Sequence, residues 1–442
     1  MHLANYAQAA FAAPTPDFEP NDSLFHYQYN LYNYGQTGGT FGIDIGAKSA
    51  WNFTMGDSNV VVAILDEGFI YNHEDLDVSK ILWSSGYDFV GDNYKTPHPD
   101  NNPISGDSTN HGVACQGIIC AGTNNQIGIS GIAPNCYFLP IKCADDFGGW
   151  SWNPLIYENA LSYALHYSIN NGCSMVVSCS WGWPNGSFYS NIDSIITVMA
   201  SWGIACVFST GNLGEYLPIG NTIKFPASLP STIGVGAIKK TGDHWAYSGS
   251  GEGIDVVAPS GYYRYYDAGD IMTLDQMGQL GWNPIYTACA ITNDNYICTF
   301  GGTSAAAPQV ASIIALLKSE YSLRPEMEVF TILKMVIDSS AMDGIGDNYD
   351  SVGWDPVYGY GLANAFRALL AVVRGDVNND KIINIIDINY LLNFLYRNGP
   401  PLQPDVRVGD ADCDGRTVIL DVGYLIDYLY KGGPKPQICF KY

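Results

Sequence analysis

The sequence predicts an α/β fold, a parallel sheet covered by helices on both faces, followed by a small all-α unit. Short runs that are apolar on both faces recur from about residue 58, and stretches with apolar residues at three-to-four spacing alternate with them. Beyond Arg374 a loop and a helix occur twice, 34 residues apart. Runs without polar alternation belong to strands buried on both sides, and strand alternating with helix implies crossovers onto two faces.

In chain order, VVVAIL (60–65), FLPIKC (138–143), SMVVSCS (174–180), IACVFST (204–210) and TIGVGAI (232–238) are the expected strands. The stretches 154–170 and 189–202 read as crossover helices, and Ala363 to Val373 as a closing helix. Functional residues in such sheets sit on loops at the carboxyl ends of the strands. In the last unit GDVNND at 375 recurs as GDADCDG at 409, and YLLNFLYRNGP at 390 recurs as YLIDYLYKGGP at 424. A duplication of this size is either a short repeat array or a two-site module, and its acidic loops favour the second.

Composition narrows the function classes. Across 442 residues, 20 Lys+Arg against 43 Asp+Glu leave a formal charge of −23, which repels phosphate backbones and anionic membranes. The excess carboxylate suits either a calcium-binding, secreted protein or a solubility device. Eleven cysteines leave at least one outside any internal pair. Cys173, Cys179 and Cys206 sit in apolar runs and read as buried thiols, whereas Cys289 with Cys298, and Cys413 with Cys439, read as disulfides. No C-x-x-C spacing points to zinc. No window reaches the roughly 18 apolar residues of a membrane span. The N-terminus lacks the basic start and apolar core of a signal peptide, so either the protein is not exported by this route or the sequence begins inside a longer precursor.

Three glycine-marked segments carry the candidate chemistry. Asp66 ends the first strand and is followed by the bend Glu67-Gly68. His111 stands in Asn110-His111-Gly112-Val113-Ala114, where a helix begins. Ser304 lies in Gly301-Gly302-Thr303-Ser304-Ala305-Ala306-Ala307-Pro308, between a tight turn and small helix formers whose positive end faces its hydroxyl. Singly, an acid after a strand is commonly a turn residue, a lone histidine is commonly structural, and a serine among alanines is commonly helix surface. Acid, histidine and serine in this order form one of the known triad arrangements, in which histidine takes the serine proton and the acid fixes its tautomer.

Together these segments resemble the subtilisin-like serine proteases over roughly residues 22 to 370. The resemblance implies an Asp66–His111–Ser304 triad. It also implies that Asn212, ending Val207-Phe208-Ser209-Thr210-Gly211-Asn212, donates to the oxyanion, and that Ser180-Trp181-Gly182 pairs with an extended substrate as an added strand. Asp66-Glu67-Gly68 and Ser180-Trp181-Gly182 also resemble the kexin-like branch, but WPNGSFY offers no carboxylate for a basic substrate side chain, so dibasic specificity is not expected. Gly261 to Tyr296 reads as a long insertion that covers or shapes the cleft. Residues 1–22 resemble the junction between an inhibitory prodomain and the mature enzyme, which assigns 23–370 to the peptidase unit. An unperturbed imidazole base implies activity falling as pH drops through roughly 6 to 7.

In the duplicated unit Asp376, Asn378, Asp380, Asn384 and Asp387 occupy positions one, three, five, nine and twelve of a calcium loop, with the Ile382 carbonyl at seven. Asp410, Asp412, Asp414 and Asp421 match in the second copy, with the Arg416 carbonyl at seven. The bland alternative is a pair of Asn/Asp-rich turns without metal. Asp at position twelve and one helix per loop resemble a type I dockerin, assigned to 375–442, which implies Ca2+ and a cohesin-like or cell-surface partner. Lys381 replaces the turn glycine of the first loop, and Val418 gives no oxygen at position nine of the second. Ile385-Ile386 and Ile419-Leu420 either present apolar patches to a partner or, if buried, hold the helices together or dock onto the protease unit. Asp75 and Asn125 match segments that build a calcium site in subtilisins, although Asn124-Asn125 also suits an ordinary turn.

The expected protein is therefore a secreted, calcium-dependent serine endopeptidase acting on proteins or peptides. The rival is a calcium-dependent binding or scaffold protein whose protease fold has lost activity, which Glu67 beside Asp66 and the insertion before Ser304 keep open.

Overall fold

A computed structural model of the chain describes residues 18–91, 93, 95, 97–184, 186–213, 222–262, 270–282, 291, 293–321, 337–338, 353–380, 382–403, 406–434 and 436. Its strands are β1 (Val60–Asp66), β2 (Tyr87–Asp88), β3 (Tyr137–Lys142), β4 (Ser174–Cys179), β5 (Ala205–Ser209), β6 (Ile233–Ile238), β7 (Val256–Pro259), β8 (Ile271–Leu274), β9 (Tyr296–Phe300), β10 (Ile337–Asp338) and β11 (Leu362–Ala363). A nine-stranded sheet runs in the order β10-β11-β7-β6-β5-β4-β1-β3-β2. It is parallel except where β10 meets β11. All five expected strands are present and adjoin one another at its centre.

β1 shows why the runs lack alternation. Val60, Val62 and Ile64 enter one core, Val61, Ala63 and Leu65 the other, so both faces of the strand are buried. The first core is filled by helix α5 (Thr303–Tyr321), whose Ala305, Ala306, Ala307, Val310 and Ala311 are fully buried. Small residues let this helix lie close on the sheet, so a larger side chain at Ala306 would overpack it. Helices α3 (Pro154–Asn171) and α4 (Ser190–Ser201) cover the opposite face. Asn153 caps α3 by accepting from the Leu155 amide, Pro154 occupies its first turn, and Gly172 ends it with φ 61°.

The segment 261–296 contributes β8, which pairs antiparallel with β9 and packs on helix α2 (His111–Cys120), where Thr273 Oγ1 donates to the Ala114 carbonyl at 2.6 Å. Residues 263–269, 283–290 and 292 lie outside the described residues. Phe18 and Asp22, placed by sequence in the junction segment, bond to the sheet unit through Asn52 and Ser130. Cys115, Cys120, Cys136, Cys143, Cys173, Cys179 and Cys206 are free thiols; Cys179 and Cys206 are buried as expected, whereas Cys173 is only part-buried. Cys298 and Cys413 are disulfide-bonded, while Cys289 and Cys439 lie outside the described residues.

The terminal unit repeats its structure as well as its sequence. Helices Ile385–Tyr396 and Ile419–Lys431 pack together, burying Val377, Ile388 and Leu391 beside their 34-residue counterparts Ala411, Val422 and Leu425. Ile385, Ile386, Ile419 and Leu420 are exposed, which excludes them from holding the helices together. Arg374 is buried and bonds the Asp410 carboxylate at 2.9 Å, and Arg407 lies over the Phe366 ring at 4.4 Å.

Candidate active site

The site is built at the carboxyl end of β1 by two close backbone approaches. Gly68 has φ 142°, and a Cβ there would lie 2.8 Å from Ser105 Cα. A Cβ on Gly112 would strike the Gly68 carbonyl. Only glycines permit this contact, which sets the start of α2 against the end of β1. His111 Nδ1 consequently donates to Asp66 Oδ1 at 2.6 Å, and the Glu67 amide donates to the same oxygen at 2.7 Å. Asp66 is fully buried, whereas the imidazole is 19% exposed.

Two carboxylates tune that imidazole. Burial works to lower the His111 pKa, but Asp66, through charge and hydrogen bond, and Glu67, through charge, outweigh it and hold the pKa up to about 9. Glu67 is itself raised by burial and by Asp66, and it accepts from Trp150 Nε1 at 3.0 Å. One turn along α2 the Cys115 thiol lies within 4.8 Å of ligand-type atoms of Asp66 and His111. Burial raises its pKa, so it stays neutral and fills space.

Ser304 is the second residue of α5, just past Gly302 with φ 73°. Its hydroxyl donates to the Ser180 carbonyl at 3.2 Å, and its own carbonyl accepts from Ser180 Oγ at 2.9 Å and from Cys115 Sγ at 3.7 Å. Among the described residues no hydrogen bond joins Ser304 Oγ to His111. Asn212 Oδ1 accepts from both the amide and the hydroxyl of Thr303, each at 2.9 Å, and Thr303 Oγ1 accepts from the Gly211 amide at 3.0 Å. With its oxygen pinned, the carboxamide keeps its NH2 available as a donor.

The backbone of Trp181 and Gly182 makes no main-chain hydrogen bond among the described residues, whereas Trp183 pairs with Phe225 in both directions. An open cavity of about 260 Å³ lies along this segment, lined by His111, Trp150, Trp152, Tyr157, Trp183 and Lys224 among others.

The expected metal ligands fall into three groups. Asp75 Oδ1 accepts from Asn125 Nδ2 at 2.8 Å and its Oδ2 from the Ile129 amide at 2.8 Å. Asp22 joins them by accepting from the amides of Asn124 and Asn125. Burial pushes the Asp75 carboxyl up to about 8. In the duplicated unit carboxylate oxygens of Asp376, Asp380 and Asp387 converge, as do those of Asp410, Asp412 and Asp414. The loops match bond for bond: the Asp380 amide donates to Asp376 and the Asp414 amide to Asp410, each at 3.1 Å. Asn384 N and Val418 N donate to Asp387 and Asp421 at 2.8 and 2.7 Å. Asn378 and Ile382 stand in the first loop and Arg416 in the second. Lys381 lies outside the described residues. The converging oxygens of the two loops suit a hard divalent cation, whereas in the Asp75 group Asn125 turns its nitrogen, not its oxygen, to the carboxylate.

Sequence reasoning missed Thr303, Asp22, Lys224 and Cys115. Thr303 adjoins Ser304 and Cys115 lies one helical turn from His111, so spacing could have flagged both. Asp22 and Lys224 reach their partners only through the fold.

An acid–histidine pair at the carboxyl end of a parallel sheet, with a serine opening the helix beside it, is the layout of a serine peptidase. The chain belongs to the subtilase family, whose model matches residues 57–361. It is 30% identical over 364 residues to a calcium-dependent protease of Nostoc sp. strain PCC 7120, covering 78% of this chain and 51% of that one. It is 29% identical over 304 residues to thermitase of Thermoactinomyces vulgaris, covering 69% and 86% respectively. A protease from Pseudoalteromonas arctica PAMC 21717 superposes with a TM-score of 0.59 at 25% identity, covering 80% of this chain and 99% of that one. The chain thus spans about half the length of the calcium-dependent proteases it matches. Among the described residues no helix is long and apolar enough to cross a membrane.

Proposed function

We propose that the chain is a secreted, calcium-dependent serine endopeptidase with a dockerin-like attachment module. The observation that carries this reading is the buried Asp66–His111 pair at 2.6 Å, set beside Ser304 and the pinned amide of Asn212. In this reading Ser304 Oγ attacks the peptide carbonyl while His111 Nε2 takes its proton. Asp66 holds the Nδ1 tautomer and stabilises the imidazolium. The oxyanion is met by the Asn212 NH2 and the Ser304 amide, and His111 then protonates the leaving amine. Water repeats the sequence on the acyl-enzyme and releases the second product. The substrate backbone pairs with Trp181 and Gly182.

Ca2+ fits the donor sets and, when bound, neutralises carboxylates that would otherwise repel one another within each loop. Asp376, Asn378, Asp380, Ile382, Asn384 and Asp387 would hold one ion, and Asp410, Asp412, Asp414, Arg416 and Asp421 another. Asp75 and Asn125, with Asp22, would hold a third on the peptidase unit once the Asn125 carboxamide turns its oxygen toward Asp75 in place of the nitrogen that donates to it. The exposed pairs Ile385-Ile386 and Ile419-Leu420 support a cohesin-like or cell-surface partner for the module. Casein digestion by the wild type and by Ser304→Ala, with and without a chelator, tests the reading. The wild type should cleave, Ser304→Ala should not, and chelation should abolish wild-type cleavage. Absence of cleavage by calcium-loaded wild type would favour a non-catalytic scaffold.

A further inference from the structure

We propose that Lys224 sets the specificity of the cleft, selecting an acidic side chain on the residue whose carbonyl Ser304 attacks. This rests on Ser304 as nucleophile and Asn212 as oxyanion donor. A carbonyl carbon held at Ser304 with its oxygen toward Asn212 has its Cα one bond away. The side chain on that Cα must enter the opening next to Asn212, between Ser180–Gly182 and Gly211–Asn212.

Lys224 occupies that opening. A methyl group on Gly211 would lie 2.7 Å from its Cγ and Cδ and 2.9 Å from its Cε. One on Gly182 would lie 3.1 Å from its Cβ and 3.6 Å from its Cδ. The stem thus runs between the two glycine walls and shortens the slot, with the ammonium one bond beyond Cε. The residue is anchored on both sides, since its amide donates to the Thr210 carbonyl at 3.0 Å and Phe225 is paired with Trp183.

Among the described residues the Lys224 ammonium has no partner. No carboxylate among the described residues lines the cavity that Lys224 shares with His111, and none forms an ion pair with it. Partial burial accordingly holds the lysine below its ordinary range. A cation desolvated without a counter-charge is costly, and an incoming carboxylate supplies the missing partner. With a net charge of −23 the molecule as a whole does not attract acidic peptides, so the preference belongs to this pocket.

The test compares kcat/KM on succinyl-Ala-Ala-Pro-Xaa p-nitroanilides with Xaa Glu, Phe or Lys, for wild type, Lys224→Met, Lys224→Arg and Lys224→Glu. The wild type should favour Glu over Phe by about 10- to 100-fold, the range of a charge-assisted hydrogen bond. Lys224→Arg should keep that preference, Lys224→Met should lose it, and Lys224→Glu should favour Lys. Wild type that cleaves the Phe peptide at least as fast as the Glu peptide overturns the proposal while leaving the peptidase reading intact. Wild type that cleaves neither these peptides nor casein overturns both. Should Lys224→Glu fail to fold, the contrast between Arg and Met still decides.

Discussion

His111 Nδ1 and Asp66 Oδ1 stand 2.6 Å apart, the carboxylate sealed from solvent and the imidazole open to the cleft. One ring nitrogen is thereby committed to the carboxylate, and in the proposed mechanism the other serves the nucleophile. Asp66→Asn keeps the shape but inverts the preferred tautomer, and kcat should fall by about 10⁴. Unchanged circular dichroism would tie the loss to chemistry; a loss under tenfold would argue against Asp66 as the orienting acid.

The two carboxylates around His111 move its titration well above the roughly 6 to 7 expected of a free imidazole. The base works deprotonated, so activity should rise with pH up to about 9, the value at which the ring is held. Glu67→Gln removes one of the charges favouring the imidazolium, so the acid limb of kcat/KM should move to lower pH. A limb unmoved by Glu67→Gln would show that Asp66 alone holds the ring up, and a rate flat down to about pH 4 would contradict His111 as base.

Asn212→Ala removes the amide pinned by Thr303 and should lower kcat by about 10² to 10³ with KM little changed. Thr303→Val deletes one of the two bonds that hold the Asn212 oxygen and should give a smaller loss, roughly tenfold. A Thr303→Val variant with full kcat would show that the backbone bond alone positions the amide.

Calcium should stabilise the chain by mass action, with ion at 100 times Kd contributing about 2.7 kcal/mol per site that binds only the folded state. Calorimetry on the full chain should show binding events lost singly in Asp387→Ala and Asp421→Ala. If Asp421→Ala removes none, Arg374 serves as the counter-charge of the second loop through Asp410.

The central strands were legible because burial on both faces leaves uninterrupted β-branched runs, as in β1. The hairpin of β8 and β9 was not, since IMTL and YICTF mix polar with apolar residues and pair across a long intervening segment. Asp66, His111, Ser304 and Asn212 announced themselves through the glycines that create their close approaches. Thr303 did not announce its bond to Asn212, which spans 91 residues, nor Asp22 its bond to Ser130, which spans 108. Lys224 reads in sequence as an ordinary basic residue before Phe225-Pro226, and only the fold places its stem against Gly182 and Gly211.

The central claim is that Ser304 is the nucleophile, and labelling with a fluorophosphonate probe followed by peptide mass mapping tests it most directly. Wild type should carry one adduct, on Ser304, and Ser304→Ala should carry none. Equal labelling of the two proteins, or an adduct on another serine, would contradict the assignment.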